Sequence, residues 1–365
     1  ELEDPALEAA ALLVRGQNEE RSGAAAQAEA TLRRAVERAE LAEDHGTRAQ
    51  ALIHLVYILG DAKDDERRAE ALAFAADAGA VLRVLAADPL LRAQLDNNLA
   101  VVAKRAGDLD DALAHLQQSL ATYEELFGEQ HPSTLRALMN LGNVLRLHKR
   151  FAEAETALRR ASEGFELVLG TDHPFVAVTL SNLAITLAHQ QRPQDAVPVF
   201  RRSLEIRVKN DPEHPDLAKA HFNLARALFE TRTYDEALAH YEQGLELRRR
   251  AGADEDELVG YHEGVGQAAA RAGKLDRAAE QLAAAVAIHE REGEAEPLAL
   301  VRAELALVLA TRDPERALAL ASQVREWLDA RAKTGAGSDD RAAADQVAIA
   351  VMLAQNQRRV LALAK

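Results

Sequence analysis

The chain has 365 residues, 59 of them acidic and 44 Lys or Arg, for a formal charge of −15; general nucleic-acid binding, which needs a basic footprint, is argued against. It contains no cysteine, which excludes thiol catalysis, disulfides and cysteine-held zinc. No run of 18 apolar residues occurs, so no membrane-spanning helix is expected.

Aromatic residues make up only 4% of the chain, while Ala, Leu, Glu and Arg dominate, the composition of closely packed helices. The opening Glu1-Leu2-Glu3-Asp4-Pro5 lacks the basic and apolar blocks of a signal peptide, and no initiator Met precedes it. We therefore expect a cytoplasmic piece of a longer chain. From there the sequence repeats. Ala28, Ala71, Ala112, Ala154, Ala196, Ala237, Ala278 and Ala317 follow one another at intervals of 39 to 43 residues, each early in the second helix of a predicted pair.

Four residues after most of these alanines stands a bulky apolar side chain: Leu32, Leu116, Leu158, Phe200, Tyr241 or Leu282. The i, i+4 spacing puts both on one helical face. Twelve residues before lies a small residue of the first helix: Gly16, Ala100, Gly142, Ala184, Ala225 or Gly266. A mid-helix glycine costs on the order of 1 kcal/mol against alanine. Its recurrence predicts a tight seam in which the small residue of one helix meets the small residue of the other.

The predicted hairpins cover 5–46, 47–88, 89–130, 131–172, 173–213, 214–255, 256–296 and 297–332, the second carrying a charged insert, Asp61-Ala-Lys-Asp-Asp-Glu-Arg-Arg68. His131-Pro132, His173-Pro174 and His214-Pro215 open three of them, 42 and then 41 residues apart. Proline suits the first helical turn, where its missing N–H is not needed, so each histidine marks a helix start. One hairpin step separates these histidines, and no metal role is expected of them. Gly107-Asp108 and Gly273-Lys274 break pairs internally, and Gly128, Gly170 and Gly252 end second helices. The final pair is shortened through Thr311-Arg-Asp-Pro314, as terminal caps of an array are. Trp327 falls at helical spacing from Leu320 and Val324 and is read as core or cap. A loop at 333–340 and an amphipathic helix at 341–365 follow, the helix serving to cap the array or to engage another chain.

This pattern resembles the tetratricopeptide repeat in the 42-residue form typical of kinesin light chains. Tyr123-Glu-Glu-Leu-Phe-Gly-Glu-Gln-His-Pro132 and Phe165-Glu-Leu-Val-Leu-Gly-Thr-Asp-His-Pro174 are similar to that family's inter-repeat linker. The resemblance spans roughly 5–332 and is most specific over 89–255. It implies an all-α fold, a right-handed α-α superhelix in which stacked hairpins offer a concave surface. The repeat order, ending in Ala317-Leu-Ala-Leu-Ala-Ser-Gln-Val-Arg325, resembles the C-terminal region of myxobacterial serine/threonine protein kinases. That resemblance implies the non-catalytic arm of a bacterial signalling kinase; the kinase motifs themselves are missing from the chain.

No phosphate loop, Gly-x-Ser-x-Gly elbow, His-Glu-x-x-His or calcium loop is found, so neither an enzyme nor a cofactor or metal site is expected. Asp254-Glu-Asp-Glu257 is read as a solvated linker and helix start. One constellation stands out. Asn98, Asn140, Asn182 and Asn223 each precede the Leu-small pair of a first helix. An amide both donates and accepts, so such a ladder grips a peptide backbone or bonds within its own helix pairs. The resemblance implies the former.

Lys104, Arg105, Arg136, Asn143, Arg146, Lys219, Arg226 and Arg271 accompany the ladder, with Phe222 and Phe229 beside it. These cations form a basic groove or pair with neighbouring glutamates. A basic groove favours an acidic peptide, a phosphopeptide or a C-terminal carboxylate, because arginine pairs planar anions bidentately. The expected function is a protein- or peptide-binding scaffold, the regulatory or substrate-recruiting region of a serine/threonine kinase. The alternative is a sensor or autoinhibitory arm of a signal-transducing NTPase or protease.

Overall fold

The computed structural model describes residues 4–60, 64–85 and 88–333; the predicted loop from Thr334 onward and the helix at 341–365 lie outside these residues. The described residues hold sixteen α-helices and one 3-10 turn, and no strand. The fold is an all-α repeat, and it divides into two units, Glu1–Gln190 and Gln191–Lys365.

The first unit contains α1 (Pro5–Arg21), α2 (Ala25–Leu41), α3 (His45–Gly60), α4 (Asp65–Val84), α5 (Pro89–Ala106), α6 (Leu109–Phe127), α7 (Pro132–Leu147), α8 (Phe151–Leu169) and α9 (Pro174–His189). The second contains α10 (Pro193–Asn210), α11 (Leu217–Glu230), α12 (Tyr234–Arg250), a 3-10 turn at Glu255–Leu258, α13 (Val259–Arg271), α14 (Leu275–Glu292), α15 (Ala295–Leu309) and α16 (Pro314–Lys333). Within each unit a helix packs on the next in sequence, and first helices also touch first helices: α1 on α3 on α5, and α11 on α13 on α15.

The helix starts follow from local chemistry. The Asp4 side chain accepts from the N–H groups of Ala6 and Leu7, and Asp88 from those of Leu90 and Leu91, satisfying donors that the first turn leaves unpaired. His131 and His173 use their rings the same way: Nδ1 accepts from the Ser133 N–H at 3.2 Å and the Phe175 N–H at 3.1 Å. The third His-Pro differs. His214 Nδ1 accepts from the Asp216 N–H at 3.1 Å, but α11 begins only at Leu217, whose N–H donates to the His214 carbonyl at 3.0 Å. A tight turn is interposed there, and Pro215 lies ahead of the helix instead of within its first turn.

The seam inside the pairs is also built differently from the expectation. A Cβ placed on Gly142 would lie 2.6 Å from Leu158 Cγ and 3.4 Å from the Ala154 carbonyl oxygen. Gly16 stands in the same relation to Leu32 and Gly266 to Leu282, each at 2.6 Å. The notch of the first helix therefore receives the leucine that follows the periodic alanine by four residues, with the alanine behind it. Helical side chains lean toward the N-terminus of their own helix, and that lean carries the leucine into the gap. Leu32, Leu158 and Leu282 are wholly buried.

Turns inside the pairs adopt the left-handed conformation at one recurrent position. Glycine occupies it at Gly107 (φ 85°) and Gly273 (φ 76°), but Lys149 (φ 62°) and Arg232 (φ 63°) hold it elsewhere. Trp327 is half-buried, with the Arg331 guanidinium 5.0 Å from its ring centroid, a cation–π arrangement.

Candidate functional site

In the first unit, α1, α3, α5, α7 and α9 contribute side chains to one cleft of about 380 Å³. Four of the residues singled out in the sequence meet there: Asn98, Lys104, Arg136 and Asn140. Asn97, which the periodicity passed over, joins them and links the amides. Asn140 Nδ2 donates to Asn97 Oδ1 at 3.1 Å, Asn97 Nδ2 donates to Asn98 Oδ1 at 3.2 Å, and Asn98 Nδ2 donates to the Ile53 carbonyl at 2.9 Å. Asn98 and Asn140, two of the four ladder residues, thus form with Asn97 a directional relay that is anchored at the Ile53 carbonyl and ends at Asn140 Oδ1. Asn97 is 5% exposed and cannot itself reach far into solvent, whereas Asn98 and Asn140 are half-buried at the cleft wall.

Charge is arranged around this relay. Arg136 is exposed on α7, beside the buried Tyr123 of α6. Burial pushes the Tyr123 phenol above its ordinary range, an effect that Arg136 partly offsets. Lys104 is half-buried on the same wall. Opposite charge is present as well: Glu20 Oε2 lies 2.7 Å from His54 Nδ1, and both residues line the cleft together with Tyr57 and Phe175. None of these four was singled out in the sequence; their common signal is placement on the first helix of a pair.

Asn143 and Arg146, one turn further along α7, form a pair of their own, with Arg146 Nη2 donating to Asn143 Oδ1 at 2.6 Å. The Arg146 Nε is buried without a hydrogen-bond partner. Burial holds the guanidinium below its usual pKa, and among the described residues no carboxylate pairs with it. On the second helices α2 and α8, by contrast with Arg146, Arg33 pairs with Glu29 and Glu70, and Arg159 with Glu155. Arg105 is exposed on α5, and Asn182 is half-buried on α9.

The second unit carries the remaining residues. Phe222 packs edge-on against Tyr241 and Tyr261, with centroids 5.3 and 5.0 Å apart. Asn223 is half-buried beside it, and Lys219 and Arg226 are exposed on α11. Phe229 and Arg271 line a different cleft, of about 360 Å³, together with Gln267, Leu307 and Glu304. Arg271 therefore shares its surroundings with a carboxylate.

Stacked helical hairpins whose first helices wall a concave polar cleft define the class: an all-α repeat protein. Residues 91–166, 143–209 and 175–250 match the family model of the tetratricopeptide repeat, and over residues 91–250 the chain is built of tetratricopeptide repeats. It is similar to the human mitochondrial tetratricopeptide repeat protein 19, at 33% identity over 96 residues, which are 26% of this chain and 24% of that protein. The chain thus spans about a quarter of the length of that curated relative. Among solved structures, the apo form of RapI aligns with a TM-score of 0.66 at 14% identity, over 96% of this chain and 98% of that one. TPR-like repeats described as a kinesin light chain from Podosopora anserina align with a TM-score of 0.50 at 22% identity, over 56% of this chain and 98% of theirs. These structural likenesses concern the fold alone. No described helix is long and apolar enough to cross a membrane.

Proposed function

We propose that this chain is a non-catalytic scaffold whose first unit holds an extended acidic segment of a partner protein in the Asn-lined cleft. One observation carries the reading: the Asn98–Asn97–Asn140 relay ends on an acceptor at the wall where Lys104 and Arg136 also converge. The relay's carbonyl accepts a peptide N–H, and the cations meet acidic side chains. Arg146, desolvated and without a carboxylate, extends the positive surface along α7. The test is fluorescence anisotropy with labelled, capped Glu/Ala decapeptides and their Lys/Ala counterparts. The acidic series binds the native protein, and an Arg136→Glu variant, changed at an exposed position, loses it while helical content and melting stay near native. Retained affinity in that variant removes the reading.

The wider setting we propose is the regulatory or substrate-recruiting arm of a bacterial serine/threonine kinase acting in the cytoplasm. Its support is the repeat order and the Arg- and Ala-rich final pair. The coding sequence upstream of Glu1 tests it. A kinase domain there sustains the setting, whereas an NTPase or protease domain replaces it with a sensor arm.

A further inference from the structure

The second unit contains a cleft whose polarity is opposite to that of the first. Its floor is Glu304 on α15, and its walls are apolar: Phe229 of α11, Leu275 of α14, and Leu307 and Val308 of α15. Gln267 Nε2 donates to both Glu304 oxygens, at 3.1 and 3.0 Å. Among the described residues no Lys or Arg lies within ion-pair distance of this carboxylate. Glu263 adds a second negative charge near it, and Arg271 at the rim acts on it only from further away. Burial, reinforced by Glu263, pushes the Glu304 carboxyl above its ordinary range. A carboxylate held by a neutral amide alone among apolar walls is costly to bury and gains most from an incoming cation.

We propose that this cleft binds the lysine side chain of a partner peptide, with the ammonium on Glu304 and the methylene stem along Phe229, Leu307 and Val308. Lysine stems bury readily along apolar surface while the charged head finds a polar partner. Arginine fits less well for a geometric reason. One Gln267 nitrogen already bridges the edge shared by both Glu304 oxygens, and a bidentate guanidinium needs that edge free. A point-charge ammonium needs only an outer lone pair. The inference stands apart from the acidic-peptide cleft, since it concerns other residues and the opposite charge.

The experiment is a titration of the full chain, 13C-labelled at Leu and Val methyls, with Nα-acetyl-lysine amide, Nα-acetyl-norleucine amide and Nα-acetyl-arginine amide. The lysine probe moves the Leu307 and Val308 methyl signals saturably, and the norleucine and arginine probes bind about tenfold more weakly. Glu304→Gln brings the lysine probe down to the norleucine level, and Arg271→Gln, which removes a competing cation from an exposed position, tightens it. Equal binding of lysine and norleucine, an indifferent Glu304→Gln variant, or silent Leu307 and Val308 methyls overturns the proposal. Should Glu304→Gln fail to fold, Arg271→Gln decides alone: unchanged or weaker lysine binding overturns it.

Discussion

Leu158 of α8 occupies the space that a side chain on Gly142 of α7 would need, with Leu158 Cγ 2.6 Å from the position of the missing Cβ. Leu158 is fully buried, so it has no open direction in which to retreat. Gly142→Ala is expected to destabilise the protein by about 1–3 kcal/mol through overpacking, despite alanine's better helix propensity. Gly79 of α4 is the control, because a Cβ there would meet only Arg83 Nη1, at 3.9 Å. Gly79→Ala should be neutral or stabilising by up to about 1 kcal/mol. Urea melts of both variants check the pair, and a Gly142→Ala protein as stable as the native one refutes the notch.

Lys149 and Arg232 stand at the left-handed turn position that Gly107 and Gly273 fill in other pairs. A left-handed conformation costs a non-glycine residue roughly 1–2 kcal/mol, and glycine's greater unfolded-state entropy takes back part of that gain. Both side chains are exposed, so little packing is lost. Lys149→Gly and Arg232→Gly should each raise stability by about 0.5–1 kcal/mol, read as a higher melting temperature by calorimetry.

His221 and His240, on α11 and α12, bring their Nδ1 atoms within 2.9 Å. Burial pushes His221 down to about 4, and it lowers His240 as well. A folded-state pKa below the unfolded one means that the native state binds fewer protons, so this contribution is full above about 6.5 and is lost as the pH falls toward about 4. His115 has the opposite sign. Its hydrogen bond to the buried Asp96 raises its pKa, so its contribution is full at acidic pH and is lost as the pH rises through the folded-state value. Melting temperature against pH separates them: His221→Leu flattens the loss below pH about 6.5, and His115→Leu flattens the loss on the neutral side.

Asn97 joins the two cleft asparagines and is itself buried. Asn97→Leu unlinks the relay and leaves Asn98 and Asn140 each short of one partner. We expect a stability loss of about 1–2 kcal/mol and weaker capture of the acidic decapeptides, without the change in peptide charge preference that Arg136→Glu brings. Anisotropy titrations of both variants distinguish positioning from charge recognition.

The helical pairs, their period and two of the three histidine-led helix starts were open to sequence reading, because each depends on residues close together in the chain. A cap needs a partner two positions away, an apolar face needs spacings of three and four, and a hairpin packs on its neighbour. The recurrence of asparagine at one position of successive first helices was visible for the same reason, and of these four Asn98 and Asn140 are the two that enter the relay. What the sequence left undecided lies across repeats. Asn97 bonds to Asn140, 43 positions away, so nothing in its own helix announced its part in the relay. Arg271 reads from the sequence as one more groove cation, and only the fold shows that it shares a cleft with Glu304. Charge and hydrogen bonding act through space over a few ångströms, and only the packed helices decide which distant side chains come that close.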